Sequence, residues 1–361
     1  MTDQLAQTIA RIQPLDRAAM SAAEARQAQL TKPPRALGRL EALSIQLAGI
    51  TAKPRPRLAR KVVAVMAADH GVVAEGVSAF PAEVTPAMVM NFVAGGAAIN
   101  VLCRQVDARV AVTDVGVNAD LSAANGIRHC KVRTGTADMA LGPAMSRDEA
   151  LQAIGVGIEL VDEELRAGLD IIATGDMGIG NTTASSAVIA ALTGLPVARV
   201  TGRGTGITVE ALAGKVAVIE KALDVNKPDP SDPIDVLAKV GGLEIAALTG
   251  VVLGAAANRV PVVMDGFISA AAVLAAVRLC HEAVDYILPS HVSIEIGHQA
   301  VLDELGLIPL FDLEMRLGEG TGAALAMGII EASARILDEM ATFEDAGVAG
   351  DPNEADSDLR R

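Results

Sequence analysis

The stretch that decides the fold is Val62-Val63-Ala64-Val65-Met66-Ala67, which ends in Ala68-Asp69-His70-Gly71. Six apolar residues in a row, followed by polar residues and glycine, predict a strand that is buried on both faces and runs into a loop. Comparable runs recur at 110–113, 169–174, 261–264 and 284–288, and 130–132 is a weaker candidate.

Segments with helical spacing of apolar residues separate these strands. The alternation predicts an α/β fold with a doubly wound, mostly parallel, Rossmann-like sheet covered on both faces. Residues from about 3 to 50 have a helical pattern and lie outside the alternation. Together with the long helical pattern at 323–340, they predict a small helical domain built from both chain ends.

These patterns divide the chain into four parts. We expect N-terminal helices of the small domain at 1–55 and an α/β domain at 56–320. We expect a C-terminal helix that joins the small domain at 321–343, and a disordered acidic tail at 344–361.

Composition limits the classes of function. A net charge of −14 and an aromatic content of 2% exclude the basic surface and stacking platforms of a nucleic-acid binder. Three cysteines without CxxC spacing and an N-terminus without an apolar signal core indicate a cytoplasmic protein. The uncharged stretch 177–198 contains Gly, Asn, Thr, Ser and Pro, so we interpret it as a loop and a buried helix, and expect no membrane partner.

Polar residues follow several of the predicted strands. In open parallel sheets, ligands bind beyond the carboxyl ends of the strands. Here those ends, with one late loop, provide Asp69 and His70, Asp114, Asp176, Asp265, Ser290 and His291, and Glu319. None of them has the spacing of a metal site, and we expect a hydrogen-bonding or structural role for the histidines.

Two glycine-rich loops are candidates for binding an anion. The first contains Gly178, Ile179, Gly180, Asn181, Thr182 and Thr183. It leads into a helix, whose N-terminus could bind phosphate, although helix capping by Asn181 explains the same residues. The second contains Arg203 and Gly204, and Lys215 follows in the next helix. Its cations could bind phosphate or carboxylate, or could be solvated surface charges.

One carboxylate stands in an unusual setting, the run Arg316-Leu317-Gly318-Glu319-Gly320-Thr321-Gly322. Glycines on both sides allow a close approach of the backbone to a ligand. Glu319 is therefore a candidate catalytic base. The alternative is an acid that complements the dipole at a helix N-terminus.

The chain resembles the nicotinate-nucleotide–dimethylbenzimidazole phosphoribosyltransferases, a family of cobalamin nucleotide-loop assembly. The resemblance runs from about 30 to 340. Its carriers are Thr31-Lys32-Pro33, Leu37-Gly38-Arg39-Leu40-Glu41, Ala68-Asp69-His70-Gly71-Val72 with Glu75-Gly76-Val77, Gly95-Gly96-Ala97-Ala98-Ile99-Asn100, the loop 175–183, Gly202-Arg203-Gly204-Thr205-Gly206, Asp265-Gly266-Phe267 and the run 316–322.

The resemblance implies a homodimer that transfers phosphoribose from nicotinate mononucleotide to dimethylbenzimidazole. It implies that Glu319 is the general base and that Asp176 occupies a second acidic position, where relatives often have Glu. It also implies that Lys215 and Asp265 bind substrate. The base pocket would include Phe80, Met88 and Leu317, and the apolar Phe80, Ala87 and Met88 replace residues that tend to be polar in relatives.

The chemistry needs few groups. The leaving ring nitrogen of nicotinate mononucleotide is already cationic, so one carboxylate suffices as base and we expect no cofactor and no metal. Two alternatives remain, an enzyme of the same scaffold that uses another base such as adenine or a phenolic, and a non-catalytic nucleotide-binding relative.

Overall fold

The computed structural model describes residues 2–204 and 206–349. The strands are β1 (Lys61–Ala68), β2 (Ala108–Gly116), β3 (Ile127–His129), β4 (Ile171–Met177), β5 (Val262–Met264) and β6 (Ile287–Pro289). The helices are α1 (Asp3–Ala10), α2 (Arg17–Gln29), α3 (Arg39–Thr51), α4 (Val84–Ala94), α5 (Ala98–Gln105), α6 (Arg147–Arg166), α7 (Asn181–Thr193), α8 (Val197–Val200), α9 (Val209–Asn226), α10 (Pro233–Val240), α11 (Leu243–Ala257), α12 (Phe267–Leu279), α13 (Ile296–Leu305), α14 (Thr321–Glu339) and α15 (Phe343–Ala346).

The described strands form one parallel sheet in the order β3-β2-β1-β4-β5-β6. β1 lies between β2 and β4, and each of its eight residues is buried. The uninterrupted apolar run is thus explained, because both faces of β1 are covered by other elements. The predicted doubly wound α/β fold is confirmed.

The chain order reverses between β1 and β4, which are neighbours although β2 and β3 intervene in sequence. The crevice at such a switch point is where open α/β sheets bind ligands. The register pairs Met66 with Asp176, so the carboxyl ends of β1 and β4 lie side by side. This edge of the sheet carries the candidate site.

Close helix packing covers one part of the sheet. A Cβ added to Gly157 in α6 would overlap the Ala247 carbonyl of α11, and a Cβ on Gly250 would overlap the Ile154 carbonyl. Glycine at these positions lets the two helix backbones approach each other directly.

The chain divides into two compact units. The larger joins the residues up to Gln13 with Arg60–Ala326, and the smaller joins Pro14–Ala59 with the residues from Met327 onward. The placement of all of 1–55 in the small domain is therefore wrong for α1. Leu5 and Thr8 are buried where α1 packs on α6 and α11. An amphipathic helix can bury its apolar face against an apolar surface of either unit, and its own sequence does not specify which.

The smaller unit has a core of its own, made of small residues and one leucine: Ala19, Ala23, Ala48 and Leu337, with Ile45 packed against them. Lys32 and Glu41 form an ion pair at 2.8 Å, and Asp338 pairs with both Arg55 and Arg57. Arg26 donates to the carbonyls of Leu337, in the last turn of α14, and of Met340, which directly follows it. Carbonyls at the end of a helix have no partner within the helix.

Two sequence boundaries need correction. The third strand covers Ile127–His129 and not 130–132, because an edge strand with one neighbour need not be the most apolar segment. The predicted tail begins too early, since Glu344 and Asp345 belong to α15, where Thr342 and Asp345 cap each other. The remainder of the tail, 350–361, lies outside the described residues.

The segment Val84–Gln105 is 22 residues long and reaches a mean hydropathy of 1.5, which by length and composition alone would suit a membrane span. It is two helices, α4 and α5, separated at Gly95, whose φ is 78°. The break places the N-terminus of α5 at the carboxyl edge of the sheet, where it contacts Glu319.

Candidate active site

Glu319 lies in a loop of unusual backbone conformation. Gly318, Glu319 and Gly320 all have positive φ, at 82°, 62° and 93°. A left-handed conformation is unfavourable for a glutamate and persists where surrounding contacts enforce it. The loop is followed directly by α14.

Asp265, at the end of β5, supplies those contacts. Its Oδ2 accepts the Gly320 N–H at 3.1 Å, and its Oδ1 accepts the Ala323 N–H at 3.0 Å. Burial raises the pKa of Asp265 to about 6, while the backbone N–H groups oppose that shift. The carboxylate thus ties the glutamate loop and the first turn of α14 to the sheet.

Gly175 in β4 lies against the loop that contains Glu319. A Cβ on Gly175 would lie 2.5 Å from the Glu319 carbonyl oxygen, which no real side chain tolerates. The glycine is therefore needed for the loop to lie directly on the strand.

The Glu319 side chain is buried, and its Oε2 accepts the Ile99 N–H of α5 at 3.3 Å. Burial raises the pKa of Glu319 above its ordinary value, the Ile99 N–H opposes this, and the charge of Asp265 adds to it. A carboxyl whose pKa is moved toward neutrality is a stronger base than a solvated one.

Asp176, at the end of β4, is a second buried acid of the site. Asn181 donates to its Oδ2 at 2.8 Å. Burial raises its pKa well above the ordinary value, and the charges of Asp265, Glu244 and Glu319 raise it further. A Cβ on Gly318 would lie 3.3 Å from Asp176 Oδ2, so this carboxyl lies against the glutamate loop.

The first glycine-rich loop connects β4 to α7. A Cβ on Gly178 would overlap the Ala68 carbonyl, and Gly180 has a φ of 95°. Several N–H groups of this loop are already bonded within the protein: Ile179 to Thr85 Oγ1, Asn181 to Gly178 O and Thr183 to Gly180 O. Side chains must therefore contribute to any anion site here.

Lys215 of α9 provides a cation at the same corner. Its Nζ donates to Thr182 Oγ1 at 2.8 Å, and a Cβ on Gly204 would lie 3.3 Å from Nζ. Burial lowers the pKa of Lys215 to about 8, and the charge of Glu295 opposes that shift. Lys215 is only 1% exposed, so it is not a solvated surface charge.

A cavity of about 330 Å³ opens between these groups. The predicted site residues that line it are Phe80, Met88, Asp176, Gly178, Ile179, Asn181, Thr182, Gly204, Leu317 and Glu319. Phe80 and Leu317 are 48% and 58% exposed, which is unusual for large apolar side chains and gives the cavity an open apolar wall.

Four predicted residues do not belong to the lining of this cavity: Gly180, Thr183, Lys215 and Asp265. Asp265 is fully buried and bonded to backbone, and Lys215 lies behind Thr182 and Gly204. Thr183 is also fully buried, and its hydroxyl has no partner among the described residues.

The sequence interpretation missed other lining residues, notably Phe267, Ile268, Ser293, Glu295 and Arg316. His291, which the sequence placed after a predicted strand and for which we expected a hydrogen-bonding or structural role, also lines the cavity. Glu295 had no such signal, because a lone acid in an irregular segment is typical of solvated surface.

The histidines have structural partners. His70 Nε2 lies 2.7 Å from Glu244 Oε1, and both side chains are buried. Burial acts to lower the pKa of His70, yet the charge and hydrogen bond of Glu244 raise it overall. Burial lowers the pKa of His291 to about 4 and that of His298 to about 3, so both rings are neutral at pH 7.

Within residues 2–204 and 206–349, no cluster of three or more His, Cys, Asp or Glu could hold a metal ion.

Comparison with known proteins gives a consistent result. A family model described as phosphoribosyltransferase matches residues 12–348. A protein of Roseiflexus sp. (strain RS-1) is 61% identical over 346 residues, covering 96% of this chain and 98% of that protein. A protein of Geobacter sulfurreducens is 56% identical over 345 residues, with the same coverage. Both are named nicotinate-nucleotide–dimethylbenzimidazole phosphoribosyltransferase.

The fold is also that of solved structures. The crystal structure of CobT from Thermus thermophilus superposes with a TM-score of 0.89 at 47% sequence identity. The match covers 92% of this chain and 100% of that one.

Proposed function

Because this chain belongs to the nicotinate-nucleotide–dimethylbenzimidazole phosphoribosyltransferase family, we propose that it transfers phosphoribose from nicotinate mononucleotide to dimethylbenzimidazole. The products are α-ribazole 5′-phosphate and nicotinate. The observation that carries the proposal is that Glu319, Thr182 and an apolar wall face one cavity.

The bond that breaks joins the anomeric carbon to the cationic pyridine nitrogen of the substrate. Its electron pair returns to that nitrogen, which leaves neutral, so no general acid is needed. One benzimidazole nitrogen attacks the anomeric carbon from the opposite face, and the β-linked substrate becomes an α-linked product. Positioning of the two rings supplies much of the acceleration.

The other benzimidazole nitrogen carries a proton that becomes acidic as the ring gains positive charge. Glu319 accepts this proton and stabilises the developing charge beforehand. Its raised pKa suits it to this task near neutral pH. Asp176, whose pKa burial raises well above its ordinary value, accepts the Asn181 amide and holds it beside the reacting groups.

The phosphate of the substrate binds at the corner of Thr182 and Gly204, where Lys215 supplies the positive charge. A buried ammonium attracts an anion more strongly than a solvated ammonium does, because the local dielectric constant is low. Asp265 has a positioning role, since both its oxygens hold the glutamate loop. Phe80, Met88 and Leu317 contact the flat apolar base.

The test is release of nicotinate from nicotinate mononucleotide with and without dimethylbenzimidazole, followed by chromatography and mass detection of the product. We expect base-dependent release in equimolar amounts with α-ribazole 5′-phosphate. Absence of release with the base present, or equal release without it, would refute the transfer. Competition between dimethylbenzimidazole, adenine and phenol in the same assay separates the proposed base from the alternatives.

The proposal includes a homodimer, which light scattering on the purified chain would test. A cytoplasmic location stays a prediction from the sequence.

A further inference from the structure

Glu295 is a buried acid for which the proposed reaction has no use. It is 7% exposed, lines the cavity, and directly precedes α13. Its Oε2 has no hydrogen-bond partner among the described residues. Leaving such an oxygen unsatisfied is unfavourable, so its placement calls for an electrostatic reason.

The backbone around Glu295 is built to admit it. A Cβ on Gly202 would overlap Glu295 Oε2, so only glycine leaves room for the carboxylate. The backbone N–H of Gly204, in the same loop, acts to lower the pKa of this carboxylate. Glu295 therefore occupies a defined place against the second glycine-rich loop.

Lys215 is a buried cation whose charge interacts with this carboxylate. One of its three N–H donors reaches Thr182, and its ammonium lies next to Gly204, two residues beyond the Gly202 against which Glu295 lies. Thr182, Gly204 and Glu295 all line the cavity in front of Lys215.

We propose that Glu295 is a positioning residue for Lys215, which holds the lysine ammonium charged and directed at the corner of Thr182 and Gly204. The nature of the ligand, a phosphate monoester, rests on the proposed function. Glu295 acts on that phosphate through Lys215 and does not bind it.

Charge balance supports this role. Burial favours the neutral amine and lowers the pKa of Lys215 to about 8, while Glu295 opposes the loss of the proton. Burial likewise raises the pKa of Glu295, and the charges of Lys215 and Arg316 oppose it. Each group thus favours the charged form of the other.

The carboxylate has two opposite effects on a phosphate. It repels the dianion directly, and it preserves the ammonium that attracts the dianion. Below the pKa of Lys215 the lysine is charged in any case, so the repulsion dominates. Above the pKa of Lys215, preservation of the ammonium dominates, because a fall of one unit in this pKa leaves about tenfold less ammonium at a given pH.

Other titrating groups do not produce a change in phosphate affinity above the pKa of Lys215. His291 and His298 lose their protons near pH 4 and pH 3, and a phosphate monoester has its second ionisation near 6. Arg316, Asp176 and Glu319 face the cavity unchanged in every variant.

The test measures kcat and KM for nicotinate mononucleotide from pH 6 to pH 9.5 at saturating dimethylbenzimidazole, in the wild type, Glu295→Gln and Gly202→Ala. We expect kcat to stay within about twofold. At pH 6.5 we expect the KM of both variants to be equal to or lower than the wild-type KM. At pH 9 we expect it to be about tenfold higher than the wild-type KM if the pKa of Lys215 falls by one unit in the variants. Gly214→Ala is the matched control, because Gly214 lies beside Lys215 in α9 and an added Cβ meets open space.

A KM raised equally at every pH, a loss confined to kcat, or pH profiles identical to wild type would each overturn the proposal. If Glu295→Gln does not fold, Gly202→Ala carries the same test with the charge retained. If the wild type shows no turnover, the proposed function fails, and calorimetric titration with nicotinate mononucleotide and with inorganic phosphate at pH 6.5 and pH 9 still tests Glu295.

Discussion

Asp265 accepts the backbone N–H of Gly320 at 3.1 Å, so the residue directly after Glu319 is fixed to the end of β5. The same carboxylate accepts the Ala323 N–H in the first turn of α14. A fully buried acid thereby sets the position of another acid that faces the cavity.

Replacing Glu319 by glutamine should lower kcat at least about 100-fold, the usual scale for loss of a general base. The amide oxygen can still accept the Ile99 N–H, so the thermal midpoint should change little. Steady-state nicotinate release measures the effect. Glu314→Gln, a change at an exposed acid nearby, should leave kcat unaltered. Near wild-type turnover in Glu319→Gln would remove Glu319 as the base.

Asp265→Asn should lower both stability and kcat. An asparagine has one acceptor oxygen, so either Gly320 or Ala323 would lose its partner, at a cost of about 1–3 kcal/mol in the free energy of unfolding. Urea denaturation and kcat are the measurements. Asp312→Asn, at an exposed position, serves as control. A stable variant with full kcat would show that Asp265 does not hold the glutamate loop.

Thr182→Val and Thr183→Val are a matched pair that separates ligand binding from packing. Thr182 contacts Lys215 and lines the cavity, whereas the Thr183 hydroxyl is buried away from it. Nicotinate mononucleotide should raise the thermal midpoint of the wild type and of Thr183→Val, and should raise that of Thr182→Val much less. Equal shifts in both variants would contradict the phosphate corner. Gly178 is less suitable for this test, because any side chain there would overlap the Ala68 carbonyl.

The buried acids should make the protein less stable as pH rises from about 4, the ordinary carboxyl pKa, through about 6, the folded pKa of Asp265. Their pKa values are raised in the folded state, to about 6 for Asp265 and well above the ordinary value for Asp176, so the folded state binds more protons than the unfolded one. The free energy of unfolding is then highest in mild acid and declines as pH rises through the folded pKa values.

Asp176→Asn should flatten that decline and stabilise the protein at pH 8, because asparagine resembles the protonated acid. Urea denaturation at pH 5, 6.5 and 8 measures this, with Asp312→Asn as control. A steeper decline in Asp176→Asn than in the wild type would show that Asp176 is ionised in the folded state.

Much of the fold could be predicted because buried parallel strands have a direct signature. The runs that became β1, β2, β4 and β5 contain the uninterrupted apolar stretches 62–67, 110–112, 171–173 and 261–264, and a polar residue or glycine follows within two positions. β3 and α1 were harder to place. An edge strand need not be apolar, and an amphipathic helix does not encode which of two units it covers.

The candidate site was accessible for the same reason. Polar residues at the carboxyl ends of the strands and a glutamate between glycines indicated Asp176, His291 and Glu319 before any coordinates. Glu295 and the role of Asp265 were not accessible, because they depend on distances between segments far apart in the chain.

The sequence by itself determined the alternation of strands and helices, the edge of the sheet that carries the polar groups, and the acid in the glycine-rich loop. These are local properties, set by side-chain periodicity and by the backbone freedom of glycine. Only the tertiary structure decided which acids are hydrogen-bonded to the backbone, which face the cavity, and which interact with the charge of Lys215. Hydrogen bonds and charge interactions act over a few ångströms in space, and sequence separation does not limit them.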